Sequence, residues 1–201
     1  MTIATYADLQ AAIGNWLARA DLSATIPDFI MLFETVANRR LRLRQQESTV
    51  TLTPSSGAAT LPADYLAWRR LSWTGASPRE LDYAHPSYLR ALFATGAPGA
   101  PRLFTIEGAS LTVRPASDTP LAFDYFQKIP ALSGVITTNW LLACAPDAYL
   151  FGALAEAHGF VKDTDSLMLW AGRRDAIFDE LERLDAKTRG PAAIRVTGAT
   201  P

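Results

Sequence analysis

Residues 137–163 read TTNWLLACAPDAYLFGALAEAHGFVKD, and this stretch decides the fold. Asn139 or Thr138 stands where a side-chain oxygen caps a short helical turn. Pro146 suits a first helical position, where its missing N–H would have no partner in any case. Behind it, Tyr149, Leu150, Ala153, Leu154, Ala157 and Val161 recur at helical spacing. Gly152, Ala153 and Ala157 are small enough to admit a second helix at close range, and Asn139 and Asp147 are placed to satisfy free amides at helix starts. A break is expected at Asp163, Thr164 and Asp165. The segment is a capped, close-packing helical piece with an apolar face and no reactive constellation.

Working outward, a last helix carries Leu167, Trp170, Arg174, Ile177, Leu181 and Leu184 at intervals of three and four until Gly190 and Pro191 stop it. At the other end of the chain, residues 5–43 predict two helices. The first opens near Thr5 and sets Leu9, Ala12, Ile13, Trp16 and Leu17 on one face. Asp21, Leu22 and Ser23 form the turn. The second helix follows Thr25 as N-cap, with Pro27 and Asp28 in its first turn and Ile26, Phe29, Ile30, Phe33, Ala37 and Leu41 as its core stripe.

Between these helical regions the period changes to two. Val50 and Leu52 alternate with threonines, and Pro54 to Gly57 supply turn residues before residues 58–61, which predicts a hairpin. Further strands are expected over residues 66–73, 79–83, 102–106, 111–114 and 121–126, with a tight turn at Glu107, Gly108 and Ala109. Residues 87–94 interrupt with helical character, and residues 95–101, with two prolines and two glycines, form a loop. The predicted class is α+β: a helical bundle from the N- and C-terminal helices (1–46 and 137–189) with an inserted antiparallel β-rich lobe (47–136) and an extended tail (190–201).

The totals bound the function. A chain of 201 residues, 49% hydrophobic, has enough apolar surface for one packed domain or two small ones. Its 19 basic and 20 acidic side chains nearly cancel, so no global field draws it to DNA or to an anionic membrane. Cys144 is the sole cysteine, which excludes an internal disulfide and a multi-thiolate metal site; it reads as a small core hydrophobe. The first residues have neither a basic nor an apolar leader region, so no signal peptide is expected, and the longest apolar tract is too short and too interrupted to cross a membrane.

Motifs for chemistry are missing. The glycine-rich places lack the Gly-Lys-Ser/Thr ending of a phosphate loop, and His85 and His158 belong to no ligand pattern. Glu156 and His158 are two apart on a helix and point to different faces, so with Asp163 and Asp165 they read as solvated or capping groups. No serine sits on a Gly-x-Ser-x-Gly elbow, and Cys144 has no cationic neighbour. No catalytic residue, cofactor or metal is expected.

Three features admit a binding role. Arg39, Arg40, Arg42 and Arg44 crowd the end of the second helix, either compensating its dipole or contacting a phosphate backbone, a neighbouring subunit or another acidic surface. Trp16, Trp68, Trp73, Trp140 and Trp170 read first as core and second as interface anchors. In the tail, Pro191, Ile194, Arg195 and Val196 mark a short β-prone segment that either frays or adds itself to a partner's sheet edge.

Several of these pieces, in order, resemble the head-to-tail adaptor (connector) proteins of tailed bacteriophages, especially short-tailed ones. They are Leu61-Pro62-Ala63-Asp64-Tyr65 with Arg69-Arg70-Leu71, Phe104-Thr105-Ile106-Glu107-Gly108 through Leu111-Thr112-Val113-Arg114-Pro115, Tyr125 to Ser133, and Thr138 to Leu142 followed by Pro146 to Ala157 and Asp163. Together they span roughly residues 5–185. The resemblance implies a structural virion protein of the neck. It would form a ring of twelve copies attached below the portal, with a tail or nozzle protein beneath it and double-stranded DNA passing through without sequence specificity. The C-terminal tail would dock on the portal. A soluble nucleic-acid-binding protein using the arginine cluster is the alternative, and a cell-wall hydrolase a more remote one.

Overall fold

The computed structural model describes residues 2–93 and 99–189. The chain divides into two compact units, Met1–Gln45 with Ile129–Pro201, and Gln46–Lys128. The fold is α+β, as the change of period from helical to two and back predicts.

In the helical unit, α1 (Tyr6–Leu17) starts at Thr5, whose hydroxyl accepts the Asp8 N–H while the Asp8 carboxylate accepts the Thr5 N–H. These bonds satisfy two amides that a bare helix start would leave open, and the Thr5 hydroxyl holds the Asp8 carboxyl below its ordinary range. A 3-10 turn, Ala20–Thr25, leads into α2 (Ile26–Arg40). Thr25 precedes α2 as expected but makes no side-chain cap, because its hydroxyl donates backward to the Leu22 carbonyl in that 3-10 turn. Asn139 does cap α4 (Trp140–Cys144), its Oδ1 accepting the Leu142 N–H at 2.8 Å. Pro146 opens α5 (Pro146–Phe160), and Asp163 caps α6 (Thr164–Arg189) through the Ser166 N–H.

The core of this unit joins the predicted stripes of α1, α2 and α5: Leu9, Ile13, Phe29, Ile30, Phe33, Leu41, Tyr149, Leu150, Ala153 and Leu154 are all buried. A Cβ on Gly152 would stand 1.9 Å from the Phe33 ring, so α2 and α5 cross where only glycine fits. Phe33 in turn lies against Tyr149 and Phe178, with ring centroids 4.7 and 6.0 Å away. On α6 the predicted stripe is corrected. Phe178 is its fully buried apolar residue, whereas Trp170, Ile177 and Leu181 pack partly and Leu184 is exposed. Cys144 is also exposed rather than core, because Leu141 and Leu142 take the buried face of the one-turn α4.

The lobe holds eight strands in two sheets. In one, β1 (Glu47–Leu52), β8 (Leu121–Gln127), β3 (Tyr65–Trp73) and β4 (Arg79–Glu80) lie in that order, all antiparallel. In the other the order is β2 (Ala58–Thr60), β7 (Ser110–Arg114), β6 (Leu103–Glu107), β5 (Asp82–Tyr83). Leu71, Trp73, Phe104, Leu111, Val113, Leu121, Phe123 and Tyr125 form the core that the two sheets share.

Four expectations change here. The predicted hairpin of β1 with β2 does not form: β1 finds a full-length partner in β8, while β2 pairs with β7 in the other sheet. Residues 79–83 split around buried Leu81 into strands of different sheets. The second sheet is not wholly antiparallel, since β5 runs parallel to β6, and α3 (Pro86–Leu92) provides the crossover that a parallel pair needs. The lobe also closes at Lys128 rather than at residue 136, because Ile129 and Leu132 bury among the helices. The turn at Gly108 is as predicted, joining β6 to β7 with φ at 61°. Of the predicted loop over 95–101, residues 95–98 lie outside the described residues, as does the tail over 190–201.

Candidate functional site

The four arginines at the end of α2 have different fates. Arg40 forms ion pairs with Asp179 and with Glu182, the latter at 3.1 Å. Arg44 directs both its backbone N–H and its Nε to Asp185 Oδ1, each at 3.1 Å. Asp179, Glu182 and Asp185 recur every three residues along α6, and neighbours at that spacing share a side of a helix. Arg42 turns back to donate to the Asn38 carbonyl at 2.7 Å and to the Leu41 carbonyl, covering acceptors that the helix end leaves open, and burial pushes its guanidinium down. Arg39 is exposed, with no ion pair among the described residues. The structure therefore brings Arg40 and Arg44 onto the acidic stripe of α6 and keeps Arg39 apart. The i, i+3, i+6 run of acids on α6 was the readable signal for this pairing.

A second polar constellation had no obvious sequence signal. Glu34 sits within the apolar stripe of α2 and is only 5% exposed. Its Oε1 accepts the Leu132 N–H at 2.8 Å and the Tyr149 hydroxyl at 3.1 Å. Asn139 Nδ2 donates to the Tyr149 oxygen at 2.6 Å and to the Pro130 carbonyl at 2.8 Å. One turn beyond Glu34, Asn38 Oδ1 accepts the Ile129 N–H at 2.8 Å. Glu34, Asn38 and Asn139 thus grip the strand-free stretch that follows β8, and every bond serves a group that burial would otherwise leave unpaired. Burial pushes the Glu34 carboxyl above its ordinary 4.5, the two hydrogen bonds opposing, and pushes the Tyr149 hydroxyl up as well. A buried acid held this way orders the chain.

The candidates for hydrolysis are likewise occupied. Arg174 lies 3.9 Å from Glu156, and His158 Nδ1 is 3.1 Å from Asp163 Oδ2. His85 caps α3 by accepting the Ser87 N–H. The tryptophans divide. Trp73 is core, while Trp68 and Trp16 are 41% and 51% exposed. Trp16 meets Trp170 edge-on at 5.5 Å, Phe151 stacks on Trp170 at 5.5 Å, and the Arg173 guanidinium lies 5.0 Å from the Trp170 ring centre. Exposed Phe160, Met31, Leu32 and Met168 add apolar area to the helical unit. Pro191, Ile194, Arg195 and Val196 lie outside the described residues.

The polar clusters of this α+β fold order its own backbone, and its helices leave aromatic and aliphatic side chains in solvent, an arrangement that suits a structural, contact-making protein. The SU10 adaptor protein family matches residues 4–196, and the chain belongs to that family. It is a phage adaptor protein, with a structural role in joining head to tail. No curated protein matches it. No helix among the described residues is long and apolar enough to cross a membrane.

Proposed function

We propose that this protein works in the virion neck as a ring, of twelve copies, set between the portal above and a tail or nozzle protein below, with double-stranded DNA passing through the opening. The family match over nearly the whole chain carries this reading. The exposed Trp16, Phe160, Met31 and Met168 support it, because a subunit closed into a ring needs two different complementary faces and aromatic residues anchor such contacts. In this role the protein has no catalytic step. The tail, with Pro191, Ile194, Arg195 and Val196, docks on the portal, and Arg39 meets DNA or a neighbouring subunit. Arg40 and Arg44 serve folding first, since α6 already neutralises them.

The decisive experiment is an image of the neck of purified particles together with a portal-binding assay. The expected result is a ring density of twelve subunits directly below the portal, and loss of portal binding on truncation after residue 189. A chain absent from mature particles, or one whose truncation leaves portal binding intact, overturns the corresponding part. A free nucleic-acid-binding role would instead show as strong, salt-sensitive DNA affinity of the isolated subunit. The pairing of Arg40 and Arg44 within the chain argues against it.

A further inference from the structure

The crossover that makes β5 parallel to β6 also builds a cavity. Alternation along the β6–β7 hairpin sends Phe104, Leu111 and Val113 into the lobe core. The opposite face carries Thr105, Glu107, Thr112 and Arg114, with Thr105 directly across from Thr112. The α3 crossover lies over this polar face. Between them is a pocket of about 310 Å³ lined by Pro86, Leu89, Arg90, Phe93, Thr105, Glu107, Thr112 and Arg114. Its volume falls at the small end of ligand pockets.

Three observations define what fits. Thr105 is 3% exposed, and its hydroxyl has no hydrogen-bond partner among the described residues. Buried hydroxyls are almost always satisfied, so this one is an unused hydrogen-bonding group in a residue that lines the pocket. Arg90 and Arg114 bring two positive charges, and Glu107, paired with Arg90, brings one negative, which leaves room for a single negative charge. Leu89, Phe93 and Pro86 form an apolar wall that matches methylene groups rather than a sugar-phosphate chain.

We propose that this pocket binds a carboxylate carried by a partner polypeptide, from an acidic side chain or from a chain terminus, with Arg114 pairing the carboxylate and the Thr105 hydroxyl donating to it. The proposal is independent of ring formation and of the number of copies. Its test uses the full chain with threonine methyl labels, titrated with N-acetyl-glutamate amide for a side-chain carboxylate and with N-acetyl-leucine for a terminal one. The signals of Thr105 and Thr112 shift with at least one of these, and the better of the two identifies the source. The uncharged N-acetyl-glutamine amide leaves them unmoved. Arg114→Leu weakens binding by roughly ten-fold or more, as loss of a charge-assisted bond requires. Thr105→Val, which keeps the shape, weakens it by a smaller factor with the other methyl signals unchanged. Equal shifts from the glutamine analogue, no shift at either threonine up to millimolar ligand, or a preference for short duplex DNA over both carboxylates overturns the proposal.

Discussion

The helical unit and the lobe solve the same problem with different ranges of information. In the helical unit, the residues that cap α1, α4 and α6 stand within a turn of where they act: Thr5 with Asp8, Asn139 with Leu142, Asp163 with Ser166. In the lobe, β8 lies between β1 and β3 although it comes last in sequence, so its core forms only when residues far apart meet. Local signals make helices readable. Sheet order depends on which distant edges find matching length and burial.

The sharpest way to break the comparison is Phe123→Ala, which empties the centre of the lobe core. It should cost about 3–5 kcal/mol and strip hydrogen-exchange protection from β1, β3 and β8 while sparing α5. Equal loss in α5 would show that the two units stand or fall together. Gly152→Ala is the helical counterpart. With Phe33 fixed between Tyr149 and Phe178, the added methyl should cost about 2–3 kcal/mol by denaturant unfolding and reduce protection in α2 and α5.

Asn139→Ala should cost about 1–2 kcal/mol, because the cap of α4 and a partner of Tyr149 go together; amide exchange at Leu142 reports the cap directly. The smallest effect is a pH dependence. The folded state holds a proton on Glu34 at pH values where the unfolded chain has lost it. Glu34's contribution is therefore fully present below 4.5 and falls as pH rises through the raised folded value. Relative to Glu34→Gln, wild-type stability should decline over that window, and parallel pH profiles would show that Glu34 carries no such linkage.

Legibility followed the same division in the candidate sites. The arginines stood out because four cations cluster in a few residues, yet the partners of Arg40 and Arg44 are acids of α6 more than a hundred residues away. Glu34 was hidden because a lone acid in an apolar stripe looks like a break in the pattern; its partners Leu132 and Tyr149 are distant as well. Thr105 gave no signal, since alternation alone made its face the outer one and the α3 crossover lies over it.

By itself, the sequence determined the two classes of secondary structure, a helix start near Thr5, a cap at Asn139 or Thr138 and the turn at Gly108. Each rests on backbone geometry or on a side chain acting within a few residues. Tertiary structure alone decided the strand order, the parallel entry of β5, the return of the chain to the helices at Ile129, the neutralisation of Arg40 and Arg44 and the enclosure of Thr105. Those depend on which distant surfaces exclude water together, and no local propensity encodes that choice.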